Sequence, residues 1–259
     1  MTSVDLGPLL EVADRLATAA GAAARRHFRK PVVAEAKADS TPVSIADREA
    51  EAAMRAILLR ERPMDGVFGE EEGASEGSSG LTWVLDPIDG TKAFLTGRPN
   101  FVVLVSLLDE DGTPLLGVID QPIVQDRWIG AAGVGTTHNG AKVQTRSCAN
   151  LSDAIFSSTM LPRDVARAAA FRRLGDACRY ETWGGDGYMV GLQASGWIDV
   201  VLECGMQLYD FAPFAPIVEG AGGLVTDWNG TKLNRKSEGV ALCVGDPRLH
   251  EPALRLLRG

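Results

Sequence analysis

The sequence lacks the signatures of several large protein classes. Its four cysteines, Cys148, Cys178, Cys204 and Cys243, form no C-x-x-C pair. That spacing argues against a zinc site or a disulfide framework and fits thiols kept reduced in the cytoplasm. His27, His138 and His250 have no E-x-x-H or H-x-x-x-H partner and read as surface or structural residues. Neither a C-x5-R nor an R-H-G pattern is present to supply a covalent cysteine or histidine nucleophile. Gly133-Val134-Gly135 is not followed by the G-K-[ST] of a P-loop and reads as a hairpin. The stretch from Val4 to Phe28 is broken by Asp5, Glu11, Asp14, Arg15, Arg25 and Arg26, so neither a signal peptide nor a membrane span is expected there. A basic excess is missing too. The net charge of −8 leaves no face to neutralise nucleic-acid phosphates. It is compatible with cation binding, although many enzymes are acidic for solubility alone.

What remains is an ordinary globular chain of 259 residues, 45% hydrophobic and 23% charged, long enough for one large α/β domain or two packed lobes. Leu6, Leu9, Leu10, Ala13, Leu16, Ala17 and Ala20 recur at helical spacing and predict a first amphipathic helix to about Phe28. Ile45, Ala46, Ala50, Ala53, Met54, Ile57 and Leu58 predict a second, stopped by Pro63 and Gly66. Strands are expected over 81–86, 101–109, 115–120 and 127–131, where Val, Ile, Leu and Trp alternate with Gly/Pro/Asp turns. Beyond residue 150 the pattern predicts a Gly-rich turn at 183–187 opening a helix, a strand over 198–203, a helix over 211–221, and strands over 223–228 and 239–245. The expectation is an α+β lobe, residues 1–148, followed by an α/β lobe, residues 149–259, working as one catalytic unit.

The chemistry-bearing feature is Trp83-Val84-Leu85-Asp86-Pro87-Ile88-Asp89-Gly90-Thr91. An apolar strand ends at Asp86, Pro87 prevents simple continuation, and Asp89-Gly90 is turn chemistry. Two carboxylates three residues apart across a tight turn can point into one space, an arrangement that hard divalent cations favour because they take oxygen ligands. Gly90 and Thr91 then stand where a helix could begin, with free N–H groups suited to a phosphate. A plain polar turn with Asp89 as a helix cap reads equally well from this segment alone. Gly69-Glu70-Glu71-Glu72-Gly73 could be a solvated charge run, and Asp210 in Tyr209-Asp210-Phe211 could be a helix N-cap. Three such acidic sites, each at a strand end or helix start, together suggest a single metal centre.

These residues resemble the inositol monophosphatase superfamily of magnesium-dependent sugar phosphatases. The motifs G-E-E, W-x-x-D-P-[IL]-D-G-T and W-D correspond here to Gly69–Glu71, Trp83–Thr91 and Tyr209-Asp210, in the family's order and over nearly the whole chain. Within the superfamily the chain is most similar to the histidinol-phosphate phosphatase branch. The stretches that carry this likeness are Lys37-Ala38-Asp39 to Pro42-Val43, Ala46-Asp47-Arg48, Gly184-Gly185-Asp186, and Tyr209 through Gly223, with Tyr in place of the Trp common in inositol phosphatases.

The resemblance implies a layered α-β-α-β-α sandwich, with the active site between the lobes and two or three Mg²⁺ ions (Mn²⁺ as a possible substitute) per site. Glu70, Asp86 and the Ile88 carbonyl would hold the first ion and Asp86, Asp89 and Asp210 the second, with Glu71 reaching a third. In such sites two cations about 3.5–4 Å apart hold the attacking and leaving oxygens of an in-line displacement. Thr91 would orient the nucleophilic water and Asp47 would accept the Thr91 proton, although Ser44-x-x-Asp47 also reads as a capping box. Ile88, Asp89, Gly90, Thr91, Gly185, Asp186, Glu203 and Asp210 would line the substrate site, with Glu203 toward the alcohol; Asp186 reads as well as an N-cap.

The substrate expected is a small phosphorylated alcohol, first histidinol phosphate for histidine synthesis and second inositol phosphate. A homodimer is expected from the family, and no nucleic-acid or membrane partner. A non-catalytic regulatory member would have lost a ligand, yet Glu70, Asp86, Asp89, Thr91 and Asp210 are all present. Asp86→Asn removes a charge that both ions would share, and a phosphate-release assay is expected to find turnover nearly abolished.

Overall fold

The first helix forms where the apolar stripe predicts it, over Leu6–His27. Asp5 caps it by accepting the Gly7 N–H at 3.1 Å. Arg25, Arg26 and His27 occupy its last turn, where cations complement the helix dipole. The second helix, Ile45–Glu61, opens on a reciprocal capping box between Ser44 and Asp47. The two helices lie side by side and bury Leu9, Ala13, Leu16, Ala17, Ala50, Met54 and Leu58 against Trp83, Leu85, Val103, Val105, Leu116 and Val118 of a sheet. Ile45, expected in this apolar stripe, is exposed.

This computed structural model describes residues 4–30, 35–36 and 42–258. The Lys37-Ala38-Asp39 stretch lies outside the described residues. The first sheet has eight strands, ordered Ala141–Lys142, Gly135–His138, Asp126–Ala131, Pro114–Gln121, Val102–Leu108, Thr82–Asp89, Gly66–Gly69 and Gly73–Ser75. Gly133-Val134-Gly135 turns the hairpin between Asp126–Ala131 and Gly135–His138. Strand Thr82–Asp89 reads as a continuous apolar run because both of its faces are covered. Trp83 and Leu85 face the two helices, while Val84 faces Leu208, Tyr209 and Ala212 on the other side. Trp83 is completely buried, and its Nε1–H donates to Asp65 at 2.9 Å.

The second sheet has five strands, ordered Tyr180–Trp183, Ile155–Ser158, Val200–Cys204, Val240–Val244 and Leu224–Thr226. Helices Tyr188–Ala194 and Phe214–Gly220 lie between the sheets. One continuous core joins Val102, Leu104, Ile119 and Trp128 of the first sheet to Met189, Ile217 and Val218 of these helices and to Val201, Val225 and Cys243 of the second sheet. Helices Val165–Asp176 and His250–Arg258 cover the outer face through Phe171, Leu174, Leu254 and Leu257. The layers therefore run helix, sheet, helix, sheet, helix, as expected.

The expected helix over 211–221 is instead two short helices, Leu208–Phe211 and Phe214–Gly220, with Pro213 just ahead of the second. Proline has no N–H to continue the first helix and its fixed φ suits the start of the next. All four cysteines are free, and no described helix is long and apolar enough to cross a membrane. Leu16 is wholly buried in the helix–sheet layer, whereas Leu59 on the second helix is 76% exposed. Leu16→Ala is expected to cost about 2–5 kcal/mol and Leu59→Ala within about 0.5 kcal/mol, read from urea midpoints at unchanged slope.

Candidate metal centre

In a regular strand, residues three apart point to opposite faces. Strand Thr82–Asp89 escapes this constraint because Asp86 pairs with Leu104 but Asp89 pairs with Val102, so one extra residue is inserted between them. That bulge at Pro87-Ile88 turns Asp89 to the same side as Asp86. Asp86 is 1% exposed, and its Oδ1 accepts the Ile88 N–H at 3.0 Å. Gly90 follows at φ 84°, a left-handed conformation that glycine adopts without strain, and opens the short helix Thr91–Leu95. It is Gly90, not Asp89, that occupies the cap position, and no side chain caps this helix.

The remaining acids arrive from two directions. Gly69 pairs in parallel with Leu85, and Glu70 N–H donates to the Leu85 carbonyl at 3.2 Å, which sets Glu70 beside Asp86. Asp210 comes from the second half of the chain. It stands one turn into helix Leu208–Phe211, with Gln207 as the N-cap, and its Oδ2 accepts the Gln207 N–H at 2.6 Å. The N-cap reading of Asp210 is thereby corrected: the residue is the third-position partner of a capping box. One ligand oxygen from each of Asp86, Asp89 and Asp210 lies within 4.8 Å of the others.

Burial dominates the electrostatics, and crowding of like charge adds to it. Burial, followed by the charges of Glu70, Asp89 and Asp210, pushes Asp86 well above the usual carboxylate range. Asp89 is raised by burial and then by Asp186 and Asp210, against the Gly187 N–H that donates to its Oδ2 at 2.5 Å. Burial brings Asp210 up to about 6 despite its bond from Gln207. Asp86 and Asp210 act directly on each other, one being raised and the other lowered by the contact. An all-oxygen cluster of buried, mutually repelling carboxylates fits a hard divalent cation.

Asp47 is buried and closes the capping box, its Oδ2 accepting from Ser44 N at 2.9 Å and Ser44 Oγ at 2.6 Å. Its Oδ1 is buried without a partner, and burial raises its pKa. Thr91 donates its hydroxyl to the Ile88 carbonyl at 3.2 Å. The structure thus joins Thr91 to Ile88 and does not join it to Asp47.

Residues from the second half of the chain approach the acidic cluster. Gly184-Gly185-Asp186 crosses above Gly90, where a Cβ would stand 2.9 Å from Asp186 Oδ2. Asp186 itself has φ 45°, and Gly187 takes the cap position of the following helix, so Asp186 is not its N-cap. Asn100 Nδ2 holds this loop by donating to the Gly184 carbonyl at 2.5 Å and to Asp186 at 3.4 Å. Burial raises the Asp186 pKa, opposed by the charges of Arg98 and Lys92. Glu203, 8% exposed, accepts the Thr159 N–H at 2.5 Å, and burial drives its pKa up to about 8, with the Asp186 charge adding to the rise.

Asn100, Arg98 and Thr159 carry no motif that marks them in the sequence. Glu51, completely buried and bonded to the backbone of the Glu70 loop, was legible only as the middle of a four-residue spacing, Asp47, Glu51, Arg55, on one helix face. The histidines bond Glu49, Asp126 and Thr226, all away from the acidic cluster.

Two large sheets and three helical layers around a carboxylate centre at their junction define the layered α-β-α-β-α class of metal-dependent phosphatases. The chain belongs to the inositol monophosphatase family, whose model matches residues 5–258. It is 41% identical to the chloroplastic bifunctional phosphatase IMPL2 of Arabidopsis thaliana, over 99% of this chain and 77% of that protein. It is 37% identical to the histidinol-phosphatase of Mycobacterium tuberculosis, over 76% of this chain and 78% of that one. Among solved structures, an inositol monophosphatase from Zymomonas mobilis superposes with a TM-score of 0.90 at 43% identity, covering 99% of this chain and 100% of that one.

Glu203 gives the site a pH signature. Its ordinary value is 4.5 and its folded value about 8, so the folded protein keeps a proton that the unfolded chain releases. The resulting stability is present at low pH and lost as the pH rises through about 8. Metal-free protein is expected to lose stability across this window more steeply than Glu203→Gln, by on the order of 3 kcal/mol, checked by denaturant melts at stepped pH.

Proposed function

We propose that the protein hydrolyses histidinol phosphate to histidinol and phosphate with Mg²⁺ as its metal, Mn²⁺ being an acceptable substitute. Glu70, Asp86, the Ile88 carbonyl, Asp89 and Asp210 would hold two ions, and Glu71 a third. Bound there, the cation supplies Lewis-acid chemistry and offsets charge on the phosphate. Gly90 and Thr91 present the first N–H groups of a helix to that phosphate. Thr91 Oγ, which donates to the Ile88 carbonyl, would orient the attacking water. Asp47, whose buried Oδ1 lacks a partner, would accept a proton passed on from Thr91, which requires Thr91 to leave the Ile88 carbonyl.

One observation carries the choice of substrate. Glu203 is buried and lacks a cationic partner among the groups that shift it, and the Asp186 charge adds to the rise, while Arg98 and Lys92 partly offset Asp186 itself. A neutral polyol leaves Glu203 in that state. An ammonium-bearing alcohol supplies the counter-charge and favours its ionised form. The likeness to a histidinol-phosphatase supports the same choice. Inositol 1-phosphate is the second reading, favoured by the 43% identity to the Zymomonas mobilis inositol monophosphatase.

The deciding assay compares phosphate release from histidinol phosphate and inositol 1-phosphate, with Mg²⁺ and with EDTA. The expected result is a much larger kcat/KM for histidinol phosphate, lost on chelation. Glu203→Gln is expected to raise KM for histidinol phosphate by about tenfold, equivalent to one charge-assisted hydrogen bond. A preference for inositol 1-phosphate would reject the substrate and keep the chemistry.

A further inference from the structure

Glu51 is completely buried, an expensive place for a carboxylate unless its charge is matched. Its partners are unusual in being mostly backbone. Oε2 accepts the Glu71 N–H at 2.7 Å, and Oε1 accepts the Glu72 N–H at 3.1 Å and Arg55 Nε–H at 2.8 Å. Arg55 then reaches past it, donating to the Gly73 carbonyl at 2.6 Å and Ser75 Oγ at 3.2 Å and pairing with Glu72 at 3.4 Å. On the near side, Gly69 leaves room for the carboxylate, since a Cβ there would stand 2.1 Å from Oε1. A single carboxylate–guanidinium unit on the second helix therefore grips the chain from residue 69 to residue 75.

Glu70 lies in the middle of that grip. Its own N–H is tied to Leu85 on the strand side, and the two N–H groups that follow are tied to Glu51 on the helix side. A loop bearing three consecutive glutamates repels itself and, unheld, would open toward solvent. Preorganised ligands bind a metal more tightly than ligands that must first be gathered, and the groups that orient them set much of the affinity.

We propose that Glu51 is a positioning residue that fixes the Glu70 loop for cation binding and so sets the metal affinity of the site. The inference rests on Glu70 being a metal ligand. Glu51→Gln keeps the side-chain volume but places an amide N–H₂ against one of its three donors. The test is calorimetric titration of chelator-treated protein with Mg²⁺ and with Mn²⁺, alongside circular dichroism and phosphate release at stepped Mg²⁺. Expected is an increase of about 10–100-fold in the cation Kd, a matching rise in the Mg²⁺ needed for half-maximal rate, and kcat at saturating Mg²⁺ within about threefold of wild type. Gly69→Ala pushes the same carboxylate aside from the opposite direction and is expected to weaken cation binding likewise, which keeps the test open if Glu51→Gln does not fold. A native-like Glu51→Gln protein with wild-type cation affinity and only a lower melting temperature would overturn the proposal. Wild-type protein that binds neither cation would overturn the metal reading beneath it.

Discussion

Repulsion among buried carboxylates is the constraint around which the molecule is organised. Two unit charges about 4 Å apart in a protein-like medium repel by about 4 kcal/mol, and Asp86, Asp89 and Asp210 bring their oxygens within 4.8 Å of one another with Glu70 alongside. Nothing in such a cluster holds it together before a cation arrives, so each acid must be held from outside. The three aspartates are held in the same manner. One oxygen of Asp86 takes the Ile88 N–H, one of Asp89 the Gly187 N–H, and one of Asp210 the Gln207 N–H. Backbone donors stabilise the ionised form without bringing a competing positive charge, and they leave the second oxygen of each acid available.

That requirement explains how the two halves of the chain depend on each other. The first sheet ends at Lys142 and the second begins at Ile155, yet neither half assembles the centre alone. Asp89 belongs to the first sheet but is held by Gly187, while Asp210 belongs to the second half but meets Asp86. The shared core of Trp128, Met189, Ile217 and Cys243 packs the two halves together at this junction. Asp186 carries the cost of the fit. It is a non-glycine residue at φ 45°, held by Asn100 and passing over a glycine that leaves no space for a side chain. Backbone strain of this kind persists where surrounding contacts over-determine it, commonly at functional sites.

Much of this was legible in the sequence, for identifiable reasons. The first two helices and the strands around Asp86 are long, periodic and apolar, although the strand expected to end at Asp86 runs on to Asp89. The bulge was not legible: Pro87 signals an interruption, but only the pairing of Asp89 with Val102 shows that both aspartates share a face. Strand Tyr180–Trp183 is an exposed edge without apolar alternation, and helix Val165–Asp176 buries only Ala170, Phe171, Leu174 and Gly175, so neither has a pattern to read. The single long helix expected over 211–221 failed at Pro213, because propensity over eleven residues cannot outweigh one missing N–H. Glu51 was hidden for a different reason. Its partners are backbone groups of a loop twenty residues away in the chain, and side-chain identity says nothing about where those N–H groups point.

The site also divides by task in a way that bears on its substrate. The acids that would hold metal and phosphate come from the Glu70 loop, the Asp86 bulge and Asp210, all fixed by the backbone. The alcohol end, as proposed, would be made of side chains, Asp186 and Glu203, on a loop and a strand of the second half of the chain. A phosphate looks the same in every ester, so the first set is tied to the reaction. The second set can change without disturbing it, which is how relatives named for different substrates share one frame. Under the proposed function, specificity would lie at Glu203 and Asp186. Burial raises Glu203 to about 8, and a cationic group of the substrate beside it would favour its ionised form.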